Sequence, residues 1–295
     1  MHATVAPRSS LAQIRGMFAL LRPRQWVKNV FVFAPLIFAG EFLKLQSIEK
    51  VALTALIFCV ASSATYILND LTDIERDRRH PKKSKSRPLA SGLVSIPQAI
   101  TILLILYVAL LAAWFVMPAV LYVVLGYLLL NLAYTFVLKH QPVIDIFTIA
   151  IGFVLRVYAG AMALSVPVSS WMFVTTLCLA LYLAAVKRGQ ELASNGSDSR
   201  EVLQHYTPAL IDRYAEMAAT GALLFYSLFV MTARPEMVMT IPLVLYGLYR
   251  YWFIVESKDC GESPTDALLG DWQLLLTVAI WGVVSAVSIW PGHTL

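Results

Sequence analysis

The sequence predicts an all-α integral membrane protein, a bundle of about nine transmembrane helices. Three observations predict it. Of 295 residues, 59% are hydrophobic and only 14% charged, whereas soluble domains carry roughly 25% charged residues. Several uninterrupted apolar runs reach the ~20 residues that a helix needs to cross a bilayer. The lysines and arginines gather in alternate loops, as the positive-inside rule requires.

The spans run at 27–43, 51–70, 97–116, 118–137, 143–164, 169–186, 214–232, 237–256 and 271–290. Residues 1–26 precede them as a basic, weakly amphipathic segment without the compact apolar core and small-residue site of a cleaved signal. The first span is the least regular, with Lys28 and Asn29 at its start and Pro35 in its middle. Only Met117–Pro118 separates the third span from the fourth, which makes those helices antiparallel neighbours. The fifth carries Arg156, 13 residues beyond Val143 and so about 20 Å along the helix. An arginine at that depth faces a bundle interior or a cavity, either lining a site or pairing structurally. With the N-terminus in the cytoplasm, the long polar loops 71–96, 187–213 and 257–270 share the cytoplasmic face and hold most of the cations. Residues 27–290 read as one helical domain, approached from the cytosol by a water-soluble partner.

Several function classes are excluded. The net charge of +5 sits in loops beside spans, where topology explains it, so no nucleic-acid partner is expected. Cys59, Cys178 and Cys260 are scattered, without metal or disulfide spacing. His80, His140 and His205 lie in loops, and no Ser-His-Asp or Cys-His arrangement accompanies them.

One stretch concentrates charge: Asn69–Gly92, NDLTDIERDRRHPKKSKSRPLASG, with four acids and seven bases. If the second helix continues into it, Asn69, Asp73 and Asp77 share one face, with Asp70 on its flank. Like charges at this spacing destabilise a helix unless something neutralises them. Oxygen ligands at a helix end, with positions left for water, suit Mg2+ bound largely through a substrate's phosphates. Pro81 should end the helix near His80, and Lys82, Lys85 and Arg87 follow as partners for diphosphate oxygens. The alternative is a solvated basic loop that sets topology and touches anionic lipid. That alternative leaves three polar residues on one helical face unexplained.

The pattern Asn69-Asp70-x-x-Asp73-x-x-x-Asp77-Arg78-x-His80-Pro81, with Arg87-Pro88-x-Ala90-x-Gly92, resembles the first acidic motif of the UbiA-type prenyltransferase superfamily. Members are intramembrane helical enzymes with nine spans whose aspartates hold Mg2+ on an isoprenoid diphosphate. The usual second acidic motif, Asp-x-x-x-Asp after the sixth span, is replaced here by LAAVKRGQELAS, with Lys187, Arg188 and Glu191. That exchange should weaken a second Mg2+ site and create an anion site. The stretches LRPRQWVKN, YTFVLKHQPVIDIFTIAIGFVLRVYAGA, LQHYTPALIDRYAEMA and YGLYRYWFIVESKDCGESPTDALLGD are similar to one branch, the polyprenyl-phosphate phosphoribosyltransferases.

The resemblance implies a reaction: 5-phosphoribosyl passes from phosphoribosyl pyrophosphate to a membrane polyprenyl phosphate, releasing pyrophosphate. It implies Asp73 and Asp77 as Mg2+ ligands, Asn69 beside them as ligand or hydrogen-bond donor, and Asp70 as ligand or ribose partner. The acceptor phosphate and the donor's 5-phosphate need cations, for which Lys28, Lys139, Lys187 and Arg188 are candidates, with Tyr134 in the same motif as Lys139. Snorkelling at helix ends is the plain alternative for any one of them. Asp145 would orient Lys139 or bind substrate, and Tyr246 and Arg250 would close the donor pocket. A bacterial inner membrane is the implied location. Rival readings are an aromatic prenyltransferase using polyprenyl diphosphate and a lipid carrier or transporter. Oligomeric state is not legible.

Overall fold

A computed structural model of the chain describes residues 10–79, 83–195, 201–258 and 264–290. Helix α1, Ser10–Leu20, leads through Arg22, in left-handed backbone geometry, to an 11-residue 3-10 helix, Pro23–Phe33, which α2, Ala34–Phe38, continues. Then follow α3 (Leu45–Thr72), α4 (Ile74–Arg79), α5 (Lys83–Ser86), α6 (Ile96–Trp114) and α7 (Pro118–Phe136). The second part comprises α8 (Ile144–Leu164), α9 (Ser170–Asn195), α10 (Pro208–Ala233), α11 (Ile241–Lys258), α12 (Pro264–Gly270) and α13 (Trp272–Ser288). The described residues contain no strand.

The chain is a multi-pass membrane protein. Among the described residues, seven helices are long and apolar enough to cross a membrane, and Trp272–Ser288 is a shorter apolar helix. The expected first span, residues 27–43, is not among them: the chain there forms the 3-10 helix and α2. Pro23 and Pro35 each remove a backbone donor, and the tighter winding stretches the segment. At about 2.0 Å per residue the 3-10 part is roughly 22 Å long, and α2 adds about 7 Å. The pair nearly matches the ~30 Å of a hydrocarbon core.

Gly160 on α8 lets this segment in. A Cβ there would lie 2.0 Å from the Val32 carbonyl oxygen, so only glycine permits the contact. Opposite, Trp26 donates to Ser63 of α3 at 3.0 Å and Asn29 to Cys59 at 3.2 Å. The irregular segment is thus wedged between α3 and α8.

Helix α8 is the hub. It contributes Ala159 and Ala163 to a core with Val32, Phe58, Val124 and Tyr127, and Ile146 to a second core with Tyr182, Tyr206 and Tyr251. Helix α6 is peripheral, with Leu104, Val108 and Leu111 exposed along its length, as an apolar solvent allows. Start signals are local: Ser95 and Gln98 form a capping box on α6, Thr207 caps α10 and Asp271 caps α13. Helix α9 runs nine residues past the predicted end of its span. Lys187–Glu191 and Arg188–Glu191 pairs at helical spacing support the extension.

Candidate active site

At one end of the bundle the acids of the charged stretch meet cations of the stretch itself and from two other segments. Helix α3 ends at Thr72 and α4 begins at Ile74, but the backbone bonds Asp73 N to Asn69 O (3.0 Å) and Asp77 N to Asp73 O (2.9 Å) carry the helical register across the break. The predicted common face of Asn69, Asp73 and Asp77 therefore survives.

Each carboxylate is neutralised. Asp70 and Asp77, each 2% exposed, share Arg87: its Nη1 lies 2.7 Å from Asp70 Oδ1 and also bonds Asp77 Oδ2. Arg22 pairs with the same Asp70 oxygen while its guanidinium lies over the Tyr66 ring. Asp73 Oδ1 accepts from the buried Lys139 Nζ at 2.9 Å, and Oδ2 accepts from Arg76 at 2.6 Å, whose side chain is 42% exposed. Burial, and then the neighbouring Arg22 charge, pull the Arg87 pKa down against the opposing pull of Asp70 and Asp77. The turn Arg87–Gly92 fixes Arg87 in place: Ser91 N bonds Arg87 O at 2.9 Å, Gly92 closes it with φ +67°, and Leu89 is buried beside Leu20 and Ile67.

A second network lies where α7, α8 and α9 meet. Arg188 is 0% exposed. Its Nε donates to Asp145 Oδ2 at 2.5 Å, Nη1 to Glu191 Oε2 at 2.6 Å and Nη2 to the Tyr134 hydroxyl at 3.0 Å. The other Asp145 oxygen accepts from the Tyr206 hydroxyl at 2.7 Å, and that hydroxyl accepts from Val143 N at 2.6 Å. Burial raises the Tyr206 pKa, which keeps it a donor. Val143 has φ +69°, a strained value for a β-branched residue, and the Tyr206 bond holds it. Lys139 and Asp145 flank one short connection, so the two networks are mechanically joined.

The expected residues thus separate into groups. Asp70, Asp73, Asp77, Arg87 and Lys139 come together, with Asn69 half-buried on the same face and making no side-chain hydrogen bond among the described residues. Lys85 is exposed beside them, and Lys82 lies outside the described residues. Arg188, expected to meet a substrate phosphate, is sealed by Asp145, Glu191 and Tyr134, while Lys187 is half-buried 3.7 Å from Glu191. Tyr246 and Arg250, expected to close the pocket, bond Gln273 (3.3 Å) and Asp271 (2.8 Å) on the α13 side instead.

Arg156 is buried among neutral partners: Asn29 Oδ1 at 2.9 Å, Gly152 O at 2.7 Å and Tyr127 Oη at 3.1 Å, with the rings of Phe58, Tyr127 and Phe153 around it. Lys28, one residue before Asn29, makes no hydrogen bond or ion pair among the described residues. Sequence reasoning did not assign Arg22, Arg76 or Tyr206 to the site. Arg76 was legible, three residues after Asp73 on a helix; Arg22 and Tyr206 lie in LRPRQWVKN and LQHYTPALIDRYAEMA, stretches that carry the family resemblance without naming a partner for either.

No group of three acids, histidines or cysteines converges as a metal cage among the described residues. The donor set still fits Mg2+, which is usually bound by one or two carboxylates with water and substrate phosphate. Asp73 and Asp77 offer such a pair on one face, and Arg76 is exposed enough to leave.

The UbiA prenyltransferase family profile matches residues 30–269. Over 281 residues the chain is 34% identical to decaprenyl-phosphate phosphoribosyltransferase of Mycobacterium tuberculosis, covering 91% of this chain and 92% of that protein. The protein of the same name from Corynebacterium glutamicum is 33% identical, covering 97% and 90%. A UbiA homolog from Archaeoglobus fulgidus, solved with GPP and Mg2+, superposes with a TM-score of 0.71 at 20% identity, over 93% of this chain and 99% of that one.

Proposed function

The chain belongs to the UbiA prenyltransferase family, and from that premise we propose that it transfers 5-phosphoribosyl from phosphoribosyl pyrophosphate to a membrane polyprenyl phosphate. The observation that carries this reading is the identity of about a third, across nine-tenths of both chains, to two decaprenyl-phosphate phosphoribosyltransferases. The cation pair Lys187-Arg188, standing where an ordinary aromatic prenyltransferase has an acid, supports the same assignment.

Breaking the anomeric C–O bond builds positive charge on ribose and negative charge on the departing pyrophosphate. Asp73 and Asp77, with Asn69 beside them, are the residues that would hold Mg2+, which when bound supplies charge neutralisation for the diphosphate. Arg76, Arg87 and Lys139 neutralise carboxylates when no substrate is present. Once those acids are otherwise satisfied, the same cations are free to turn to diphosphate oxygens, so that the site stays electrically balanced in both states. Lys82 and Lys85 extend the cationic rim. Asp70, held by two arginines, orients Arg87 and accepts from a ribose hydroxyl.

The nucleophile is a phosphate monoester oxygen, largely ionised at neutral pH because its second pKa is about 6. No general base is required. Lys28 and Lys187 receive the acceptor phosphate and the donor's 5-phosphate, and Tyr134, fixed by Arg188, shapes the pocket wall. Asp145 positions the connection that carries Lys139. Residues 27–290 act as one catalytic unit, in a bacterial inner membrane with the site on the cytoplasmic side, where the loop cations concentrate.

The test is product identity. Purified protein with Mg2+ is given phosphoribosyl pyrophosphate and a polyprenyl phosphate in one tube, and polyprenyl diphosphate and an aromatic acid in another. Mass spectrometry should find phosphoribosylated lipid in the first and no prenylated aromatic acid in the second. The opposite pattern overturns the reading.

A further inference from the structure

Five carboxylates stand at this end of the bundle: Asp70, Asp73, Asp77, Asp145 and Glu191. Arg87 bridges Asp70 and Asp77 with its side chain 19% exposed, whereas the guanidinium that bridges Asp145 and Glu191 is wholly buried. Both oxygens of Asp145 are engaged, Oδ2 by Arg188 at 2.5 Å and Oδ1 by Tyr206 at 2.7 Å, and the residue is wholly buried. Glu191 Oε2 is held by the same guanidinium at 2.6 Å, and Oε1 faces Lys187 at 3.7 Å. The third nitrogen of Arg188 is spent on Tyr134. Two acids on adjacent helices, bridged by one central positive charge, make the arrangement that a divalent ion would otherwise produce.

We propose that Arg188 is a built-in substitute for a second metal, so that the site takes one divalent ion, at Asp73 and Asp77, and cannot form a two-metal centre. A guanidinium cannot be titrated away at any physiological pH. Removing it from between two acids leaves buried charge uncompensated, a change that costs several kcal/mol. Incoming Mg2+ competes poorly for such a position. At Asp73 and Asp77 it competes with Arg76 and Arg87, whose side chains are 42% and 19% exposed and regain water on leaving, while Lys139 keeps Asp73 Oδ1. The difference in burial between Arg188 and the pair Arg76 and Arg87 decides which carboxylates remain open to metal.

The inference rests on Asp73 and Asp77 as the metal ligands, and its test counts ions without needing turnover. Protein in detergent is incubated with Mn2+ and pyrophosphate, desalted, and assayed for manganese per chain and by electron paramagnetic resonance. Two-metal sites hold their ions about 3.5–4 Å apart, close enough to couple magnetically. The wild type should hold one manganese per chain with the hyperfine pattern of an isolated ion, and Glu191→Gln should leave the ion count unchanged. Arg188→Gln should admit a second manganese and give a coupled spectrum. If that variant does not fold, wild type and Glu191→Gln still decide the matter. Two coupled ions in wild type, or an ion lost in Glu191→Gln, overturns the proposal. An ion retained in an Asp73→Asn/Asp77→Asn double variant overturns the placing of the metal instead, and is read separately.

Discussion

Lys139 Nζ lies 2.9 Å from Asp73 Oδ1, joining the turn after α7 to the end of α3 across 66 residues of sequence. Both partners are largely buried, so the link fixes the acidic face against the centre of the bundle. Breaking one side of a buried pair costs about 3–5 kcal/mol, and Arg76 remains to limit the loss here. Lys139→Met should therefore melt lower by the equivalent of about 3 kcal/mol. Added Mg2+ should raise the melting temperature of the variant more than that of wild type, because a bound ion replaces the lost charge. Thermal unfolding in detergent, with and without Mg2+, checks both.

Arg87 should matter to chemistry as well as to folding. It bridges Asp70 and Asp77 from a surface turn, and it is the cation best placed to follow the diphosphate. Arg87→Gln is expected to lower kcat/KM at least a hundredfold, about 2.7 kcal/mol of barrier. Steady-state kinetics across Mg2+ concentrations measure it; recovery at saturating Mg2+ would mean that Arg87 only tunes the metal.

Gly160→Ala tests the path of the irregular segment. The new methyl would meet the Val32 carbonyl at 2.0 Å, and overpacking costs about 1–3 kcal/mol or more. Backbone rather than a flexible side chain is in the way, so the upper end is expected. A variant as stable as wild type would show that residues 23–33 do not lie against α8.

Arg156 is expected to be structural. Arg156→Met strips side-chain donors from Asn29 Oδ1 and the Tyr127 hydroxyl, and the first is left an unsatisfied buried acceptor worth about 1–3 kcal/mol. The melting temperature should fall while KM for both substrates changes less than about twofold. A KM raised tenfold with unchanged melting would make it a ligand of the acceptor phosphate.

Much of this was legible in the sequence. Hydropathy located α6, α7 and α8 to within two residues at each end, since a lipid-facing helix must be apolar all along its length, whereas α3 begins six residues before the expected start at 51. The face shared by Asn69, Asp73 and Asp77 followed from helical spacing. The packing of residues 23–33 against α8 was not legible, because it depends on Gly160, more than a hundred residues away. Nor were the partners of the acids: Arg22 reaches Asp70 across 48 residues and Lys139 reaches Asp73 across 66. Lys187-Arg188 was visible as a departure from an acidic motif, and an anion site was the natural expectation. Asp145, 43 residues before Arg188, consumes that charge instead.

The central claim is phosphoribosyl transfer at the Asp73–Asp77 face. Its most direct test uses phosphoribosyl pyrophosphate labelled in the ribose, a polyprenyl phosphate, Mg2+ and the purified protein. The account predicts that label enters the organic phase with pyrophosphate left in water, and that Asp73→Ala abolishes this. Label that stays in water across several lipid lengths, with an intact fold by thermal melt, would contradict it.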